Sequence, residues 1–228
     1  MPGEMLAPFR AVIFDCDGVL VDSELLGLRS LQEALRESGV ERSLDFLTRY
    51  SGRSHHETLA ELQAESGVSL AGAELAGRMD AHYMRIVGAE GLSPCPGVTQ
   101  LLSLLEDSGI PFTLASSGPR RKVLFSLQTA GLAAHFPVFV CGDDVERAKP
   151  APDVFLAAAA LLDVTPEDCL AIEDAPNGVR AARAAGMQVV AVITGFAPDQ
   201  LADATLVVES LCHLPHYFNG LASARQPN

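Results

Sequence analysis

Short apolar runs recur along the chain, and each ends in small or acidic residues. They cover residues 11–17, 112–118, 138–144, 169–175, 188–195 and, more weakly, 205–210. Because apolar residues follow one another without alternating polar ones, these runs predict strands that are covered on both faces. Stretches with helical spacing lie between the later runs, at residues 98–109, 151–164 and 175–187. This alternation predicts an α/β fold with a Rossmann-like, doubly wound parallel sheet.

The region between the first two runs breaks this alternation. Residues 22–91 contain no strand pattern but four helical ones, at 24–38, 44–50, 55–66 and 71–87. A crossover of roughly 70 residues is far longer than the usual connection between strands. We therefore expect a helical cap of four helices at residues 22–91, inserted into an α/β core formed by residues 1–21 and 92–228. A single domain with a long first crossover is the alternative.

Composition and charge narrow the class of protein. The chain is 48% hydrophobic, which is enough for a core, and its formal net charge is -13. An acidic chain has no electrostatic reason to bind nucleic acid or an anionic membrane. No apolar stretch reaches membrane-spanning length, and the first ten residues lack the apolar run of a signal peptide. The five scattered cysteines show no C-x-x-C spacing and are expected to be free thiols in a reducing cytosol. We expect a cytoplasmic monomer.

Polar side chains close successive runs, and ligands of open parallel sheets bind at the carboxyl ends of the strands. Taken singly, each has a structural explanation: a solvated D-x-D turn, a serine helix cap, acids at the positive end of a helix, or a loop lysine. Their unbroken succession at strand ends favours a functional site. The set is Asp15, Asp17, Ser116, Ser117, Lys149, Glu173 and Asp174.

Phosphoryl transfer is the chemistry that these residue types suit. Carboxylates of Asp15 and Asp174 can hold Mg²⁺, a hard cation that prefers oxygen ligands. Lys149 and the Ser116 hydroxyl can hold phosphoryl oxygens, where charge develops during transfer. One carboxylate can attack phosphorus, and Asp17, on the same side of an extended chain as Asp15, can move a proton.

Four segments, in order, resemble the haloacid dehalogenase-like superfamily: "FDCDGVLVDSE", "LASSG", "AKPAPDVF" and "IEDAPNGVRAARAAGM". A helical cap inserted after the first segment resembles the arrangement in the branch of the superfamily that contains beta-phosphoglucomutase and many sugar-phosphate phosphatases. The segments "SSGPRRK" and "HFPVFVCGDDVERAKP" resemble phosphatases related to 6-phosphogluconate phosphatase.

The resemblance implies a role for each matching residue. Asp15 is expected to be the nucleophile and a Mg²⁺ ligand, and Asp17 the acid/base with its backbone carbonyl on the metal. Asp174 is expected to complete the metal site, with Glu173 as a ligand or beside it. Ser116, Ser117 and Lys149 are expected to bind the phosphoryl group. Asp22 is expected near the hinge to the cap, or as the N-cap of the first cap helix.

Other members of the superfamily are less compatible with the sequence. A haloalkanoate dehalogenase lacks a second aspartate, which is present here as Asp17. An imine-forming relative needs a cap lysine, and residues 22–91 contain none. The cap histidine and arginine of beta-phosphoglucomutase correspond to Gly27 and His55 here, and its cap lysine to a position near Met79, which argues against a mutase without excluding it.

Two cap residues are candidates for substrate contact. Arg53 and His55 lie in the loop "SGRSHHETL", which is expected to face the core. The alternative is a polar helix start in which Ser54 and Glu57 form a capping box. The sequence as a whole predicts a Mg²⁺-dependent phosphatase that acts on a phosphorylated small molecule, such as a sugar phosphate, through an aspartyl phosphate. A sugar-phosphate mutase and a non-catalytic binding module on the same fold stay open as alternatives.

Overall fold

A five-stranded parallel sheet forms the centre of the molecule. The structure is a computed structural model that describes residues 6–50, 55–66 and 72–218, apart from the side chains of 55–60 and of His216. The strands are β1 (Ala11–Phe14), β2 (Phe112–Leu114), β3 (Cys169–Glu173), β4 (Gln188–Val192) and β5 (Leu206–Val208). Their order is β2-β1-β3-β4-β5. The strand order reverses at β1, and a crevice at such a point is where open α/β sheets bind ligands.

Helices flank the sheet and fill the long first crossover. The helices are α1 (Glu24–Glu37), α2 (Leu44–Leu47), α3 (His55–Ser66), α4 (Gly72–Glu90), α5 (Val98–Asp107), α6 (Arg120–Thr129), α7 (Asp153–Leu161), α8 (Pro176–Ala184) and α9 (Pro215–Phe218). Short 3₁₀ turns cover Thr48–Tyr50, Ala133–His135, Gly142–Asp144, Pro166–Asp168, Pro198–Leu201 and Leu211–His213.

Both faces of the sheet are buried, as the continuous apolar runs predict. Along β1, Ala11 and Ile13 pack on the face that α7 and α8 cover. Val12 and Phe14 point to the opposite face, where they join side chains of α5 and α6. Side chains of successive strand residues alternate between the faces, so an apolar run buries side chains on both. The doubly wound parallel sheet is confirmed.

The helices of the first crossover form a cap with an apolar cluster of its own. The buried members of this cluster include Leu31, Leu35, Leu47, Leu62 and Leu75, contributed by α1 to α4. Within the described residues the crossover contains no strand, and the predicted inserted helical cap is confirmed.

Helix α4 belongs to both parts of the molecule. Leu75, near its start, packs in the cap cluster, whereas Tyr83 and Val87, near its end, pack with the core. The bounds of the two predicted units, 22–91 for the cap and the remainder for the core, stay a prediction.

One predicted strand is wrong. Residues 138–144 form a single bridge, Val140 to Ala115, and then turn into the 3₁₀ segment Gly142–Asp144. The Asp144 carboxylate accepts a hydrogen bond from the backbone N–H of Cys141 at 2.8 Å. A short acidic side chain that binds a neighbouring backbone group in this way favours a turn over a ladder.

The predicted cap helices match the observed ones closely. The pattern at 24–38 corresponds to α1, the pattern at 55–66 to α3, and the pattern at 71–87 to α4, which continues to Glu90. The pattern at 44–50 is divided into α2 and a 3₁₀ turn. Within the described residues, no helix combines the length and the apolar character needed to cross a lipid bilayer.

Candidate active site

The ends of β1 and β3 bring three carboxylates together. Asp15 follows β1 directly, and its backbone N–H donates to the carbonyl of Ile172 in β3 at 2.8 Å. Glu173 ends β3, and Asp174 follows it. One carboxylate oxygen from each of Asp15, Glu173 and Asp174 lies within 4.8 Å of the others. All three side chains are buried, so the predicted convergence of these acids is present in the structure.

Lys149 supplies the positive charge inside this cluster. Its Nζ donates to Asp15 Oδ1 at 2.5 Å, to Glu173 Oε1 at 2.7 Å and to the carbonyl oxygen of Ala115 at 2.9 Å. The lysine side chain is only 7% exposed. All three ammonium donors therefore have partners, and the charge is fixed between β1, β2 and β3.

Glu173 is held on both of its oxygens. Oε1 accepts from Lys149, while Oε2 accepts from the backbone N–H groups of Asp174 at 2.8 Å and Ala175 at 3.0 Å. The space for this carboxylate exists because position 178 of α8 is glycine. A Cβ atom on Gly178 would lie 1.7 Å from Glu173 Oε1.

Asp174 depends on a second glycine in the same way. A Cβ atom on Gly18 would lie 2.0 Å from Asp174 Oδ2, and Gly18 has a φ of +77°, which glycine adopts without strain. Thr194, just after β4, donates its hydroxyl to Asp174 Oδ2 at 2.6 Å. The Asp174 carboxylate is thus fixed between the turn after β1 and the end of β4.

Asp17 lies at the mouth of the cluster, where its side chain is 32% exposed. Ser23 donates its hydroxyl to Asp17 Oδ1 at 2.6 Å, and Lys122 donates to Oδ2 at 3.0 Å. The turn that positions Asp17 closes through the Gly18 N–H, which donates to the carbonyl of Val21 at 2.9 Å. Asp15 and Asp17 therefore have separate cations, Lys149 and Lys122.

Burial and like charge hold two of the carboxyl groups toward their neutral forms. Burial, reinforced by the charge of Glu173, raises the pKa of Asp15 to about 7 against the pull of Lys149. Burial and the neighbouring charges of Glu173 and Asp15 also raise the pKa of Asp174 well above its ordinary value. Three carboxylates face one ammonium, so full ionisation leaves an excess of two negative charges in a buried space.

The donor set and its charge fit a divalent cation. The three carboxylates offer oxygen ligands, which hard cations such as Mg²⁺ prefer. The excess of two negative charges would be balanced by the two positive charges of such an ion. Within the described part of the chain, this is the one group of acidic, histidine or cysteine side chains that meets the geometry of a metal site.

Asp17 has the opposite electrostatic setting. Burial works against its charge, but Lys122 and the Ser23 hydroxyl outweigh burial and lower the pKa of the carboxyl below its ordinary value. The site therefore contains two carboxyls with raised pKa values, Asp15 and Asp174, and one with a lowered pKa, Asp17. Such a separation of pKa values is typical of acid and base pairs in active sites.

The two predicted serines differ in accessibility. Ser116 is buried, and its hydroxyl oxygen accepts from the Gly118 N–H at 3.0 Å. Its own N–H donates to the carbonyl of Val140. Ser117, the next residue, is exposed, and its carbonyl lies close to Gly142. The loop after β2 therefore presents one fixed and one accessible hydroxyl.

The predicted cap contacts cannot be placed in the site. Arg53 lies outside the described residues, as does Ser54 of the alternative capping box. His55 begins α3, but its side chain and that of Glu57 are outside the described part of the chain. Their proposed roles stay predictions.

Two polar residues of the site, Thr194 and Lys122, were not among the sequence candidates. Thr194 closes the run at 188–195, so applying the strand-end rule to that run would have identified it. Lys122 lies in the first turn of α6, where no acid is present and Arg120 and Arg121 precede it. Cations are unfavourable at the positive end of a helix. A cation in that position is therefore the sequence signal that could have indicated a function for Lys122.

Comparison with known proteins gives a family-level match over most of the chain. Residues 12–192 match the family model described as haloacid dehalogenase-like hydrolase. Hexitol phosphatase A of Escherichia coli (strain K12) is 32% identical over 211 residues, which cover 89% of this chain and 91% of the relative. The 6-phosphogluconate phosphatase of the same organism is 31% identical over 81% of this chain and 82% of the relative.

A mutase is among the similar proteins too. Beta-phosphoglucomutase of Bacillus subtilis (strain 168) is 34% identical over 82% of this chain and 84% of the mutase. Against Protein SUPPRESSOR OF QUENCHING 1, chloroplastic, of Arabidopsis thaliana, the match is 36% identical over 85% of this chain but spans only 19% of that protein.

The fold has close counterparts among solved structures. A hydrolase from Pseudomonas syringae superimposes with a TM-score of 0.81 at 28% identity, covering 93% of this chain and 99% of the other. The whole described architecture, sheet and helical cap together, is therefore shared.

Proposed function

The chain belongs to the haloacid dehalogenase-like hydrolase family, and we propose that it is a Mg²⁺-dependent phosphatase that hydrolyses a phosphorylated small molecule, with sugar phosphates as the substrate class. The expected enzyme class, a haloacid dehalogenase-like phosphatase, is confirmed at the level of the family. The single observation that supports the mechanism best is the buried group of Asp15, Glu173 and Asp174 around Lys149.

Asp15 is the proposed nucleophile. A carboxylate oxygen of Asp15 attacks phosphorus, a P–O bond to Asp15 forms, and the P–O bond to the leaving alcohol breaks. Lys149 is held beside Asp15, so its ammonium can stabilise the phosphoryl oxygens as charge develops on them. The raised pKa of Asp15 describes the side chain without a metal ion nearby; a cation at the carboxylates favours the ionised, nucleophilic form.

A Mg²⁺ ion in the site would neutralise the anionic ester and the carboxylates around it, which lowers the repulsion between nucleophile and substrate. The proposed ligands are Asp15, Asp174 and the backbone carbonyl of Asp17. Glu173 is already engaged on both oxygens by Lys149 and two backbone N–H groups, which favours a role in holding Lys149 over a place among the ligands.

Asp17 is the proposed acid and base. In the first step it gives a proton to the leaving alcohol oxygen; to hold that proton, its pKa has to be raised again by the negative charge of the bound ester, against the effect of Lys122 and Ser23. In the second step it takes a proton from water, whose oxygen attacks phosphorus while the bond to Asp15 breaks and inorganic phosphate leaves. Ser116, Ser117 and Lys149 are the proposed phosphate contacts, and Arg53 and His55 the proposed substrate contacts from the cap. The cap at 22–91 is the proposed lid that limits water around the reacting groups.

The substrate proposal follows the relatives, two of which are named hexitol phosphatase A and 6-phosphogluconate phosphatase. The -13 net charge gives no general attraction for an anion, so binding has to depend on local groups such as Lys149. A cytoplasmic location, a monomeric state and the absence of nucleic-acid or membrane partners belong to the same proposal.

A phosphate-release assay over a panel of sugar phosphates and other metabolite phosphates tests the function. We expect release with Mg²⁺, none with a chelator, and a fall of about 10³-fold or more in Asp15→Asn, because an amide cannot act as the nucleophile. Circular dichroism checks that this variant is folded. Near-native activity in Asp15→Asn would overturn the nucleophile assignment.

The beta-phosphoglucomutase relative makes the mutase the second candidate. A mutase converts a hexose 1-phosphate into its 6-phosphate without net release of phosphate, and product analysis by ³¹P NMR separates the two reactions. If the protein with Mg²⁺ neither releases phosphate from the panel nor isomerises any member of it, the non-catalytic binding module is favoured.

A further inference from the structure

The carboxylate of Asp17 is anchored from the core as well as from its own turn. Ser23, six positions along the chain, contacts one oxygen at 2.6 Å. Lys122, which lies 105 positions away on α6, contacts the other at 3.0 Å. With a partner on each oxygen, the plane of the carboxylate is fixed, and the long-range partner sets its direction relative to the sheet.

Lys122 is in turn placed by the cap helix. Its Nζ lies 4.5 Å from the centroid of the Tyr83 ring, a distance at which a cation interacts with an aromatic face. The Tyr83 hydroxyl lies 3.1 Å from the Ser126 hydroxyl, one turn further along α6. Tyr83 is buried and comes from α4. The cap and the core are therefore in contact at Lys122, the residue that binds Asp17.

We propose that Lys122 is a positioning residue that aligns the Asp17 carboxyl for proton transfer, and that Tyr83 of the cap helix α4 keeps Lys122 in that position. The inference rests on the proposed phosphatase function. It adds a route by which the seating of the cap on the core affects the acid/base group and not only the exclusion of water.

The location of Lys122 favours this role over that of a surface charge. Its side chain is only 20% exposed, and it occupies the first turn of α6, where a cation is unfavourable unless a local partner stabilises it. The adjacent Arg121 shares the helix end but is exposed. Arg121→Met is therefore a matched control for loss of one positive charge in the same turn.

The test compares two substrates in Lys122→Met. An alkyl phosphate releases an alkoxide that needs a proton from Asp17, whereas 4-nitrophenyl phosphate releases a stable anion that needs none. The ratio kcat/KM covers only the steps through release of the alcohol, so phosphoenzyme hydrolysis does not enter it. We expect kcat/KM for the alkyl phosphate to fall by about 10²-fold, which is the size of a general-acid contribution. For the aryl phosphate we expect a fall of less than about tenfold, because its leaving group needs no proton.

Companion variants separate positioning from folding. Lys122→Arg retains a cationic donor and is expected to recover most of the lost alkyl phosphate activity, and Arg121→Met is expected to match the wild type. Tyr83→Leu removes the ring that holds Lys122 but leaves the lysine itself unchanged, and is expected to show the same selective loss to a smaller degree. Tyr83→Phe retains the ring and is expected to lose little.

The outcomes distinguish this inference from the proposed function. If the wild type releases phosphate from neither substrate, the proposed function fails. If the wild type is active and folded Lys122→Met loses both substrates equally, or loses neither, the positioning role is wrong while the phosphatase stands. If Lys122→Met does not fold, the comparison is decided by Tyr83→Leu, and an unchanged substrate ratio there overturns the proposal.

Discussion

Lys149 is the residue on which the charge balance of the site depends. Its ammonium contacts Asp15, Glu173 and the carbonyl of Ala115 in a largely buried space. The carboxylates raise the pKa of this lysine although burial alone would lower it. It therefore stays charged across the pH range in which the carboxyls titrate.

Replacing Lys149 with methionine, which has a similar unbranched shape, should reduce both activity and stability. Removing one partner of a buried ion pair costs about 3–5 kcal/mol, because the other charge is left without compensation. The loss should be larger at pH 8 than at pH 5, since protonation relieves the buried carboxylates at the lower pH. Urea denaturation of wild type and variant at both values measures it. An equal loss at the two pH values would contradict this picture.

The raised pKa of Asp15, about 7, would make the binding of a cation to these carboxylates depend on pH. Its folded pKa lies above the value of an unfolded aspartate, so its contribution to stability is present below about pH 4 and is lost as pH rises through 7. A cation that binds the ionised carboxylates offsets this loss.

We therefore expect Mg²⁺ to raise the melting temperature more at pH 8 than at pH 5.5. A free Mg²⁺ concentration of 100 times the dissociation constant adds about 2.7 kcal/mol to the free energy of unfolding. Each kcal/mol raises the melting temperature of a domain of this size by about 2–4 °C. Thermal melts with Mg²⁺ and with a chelator give the shift. Asp15→Asn should show little of it, and a shift of equal size at both pH values in the wild type would refute the linkage.

At the scale of elements, α8 is shaped by the acid that ends β3. Glycine weakens a helix by about 1 kcal/mol relative to alanine, yet Gly178 lies in the first turn of α8. The Glu173 carboxylate occupies the place where a Cβ would be. The helix thus contains a weak helix former because the neighbouring strand end needs the space.

Gly178→Ala should destabilise the protein in spite of the better helix propensity of alanine. Its Cβ would lie 1.7 Å from Glu173 Oε1, so the glutamate or the helix has to shift, which costs about 1–3 kcal/mol as overpacking does. Gly77→Ala in α4 is the matched control, since apart from its chain neighbours and its own helix backbone no atom lies within 4 Å of its Cβ position. That change should stabilise by about 1 kcal/mol. Two changes of the same sign in chemical denaturation would contradict the argument.

The elements also show how far the sequence could predict the site. Apolar runs that end in acids located β1, β3 and the convergence of Asp15 with Asp174, because strand burial and strand direction are local properties of the sequence. The run at 138–144 was misassigned, since the Asp144 side chain competes for backbone N–H groups within that run. Lys122 reaches Asp17 only through the packing of α6 against the sheet, and no local pattern contains that distance.

At the scale of the whole molecule, the cap and the core have separate apolar clusters that α4 connects. Leu35 of α1 lies in the cap cluster, whereas Leu105 of α5 lies in the core cluster, and both are fully buried. The long crossover predicted an insertion, but the sequence alone could not show that Tyr83 and Val87 fasten the end of α4 to the core. If the cap acts as the proposed lid, we expect it to move where α1 follows the turn after β1, because the end of α4 is packed against the core.

The two clusters allow a test of the proposed division at 22–91. Leu35→Ala and Leu105→Ala remove the same buried atoms, and each should cost about 2–5 kcal/mol in the unit that contains it. If the cap unfolds as a separate unit, Leu35→Ala should speed amide hydrogen exchange in α1 and at the start of α4 while β1 and β3 keep their protection. Leu105→Ala should expose the strands and, with them, the end of α4 that Tyr83 anchors. Equal loss of protection in α1 and β3 on Leu35→Ala would instead mean that cap and core unfold as one cooperative unit. Opening of the cap during the reaction would then have to be a rigid displacement without local unfolding.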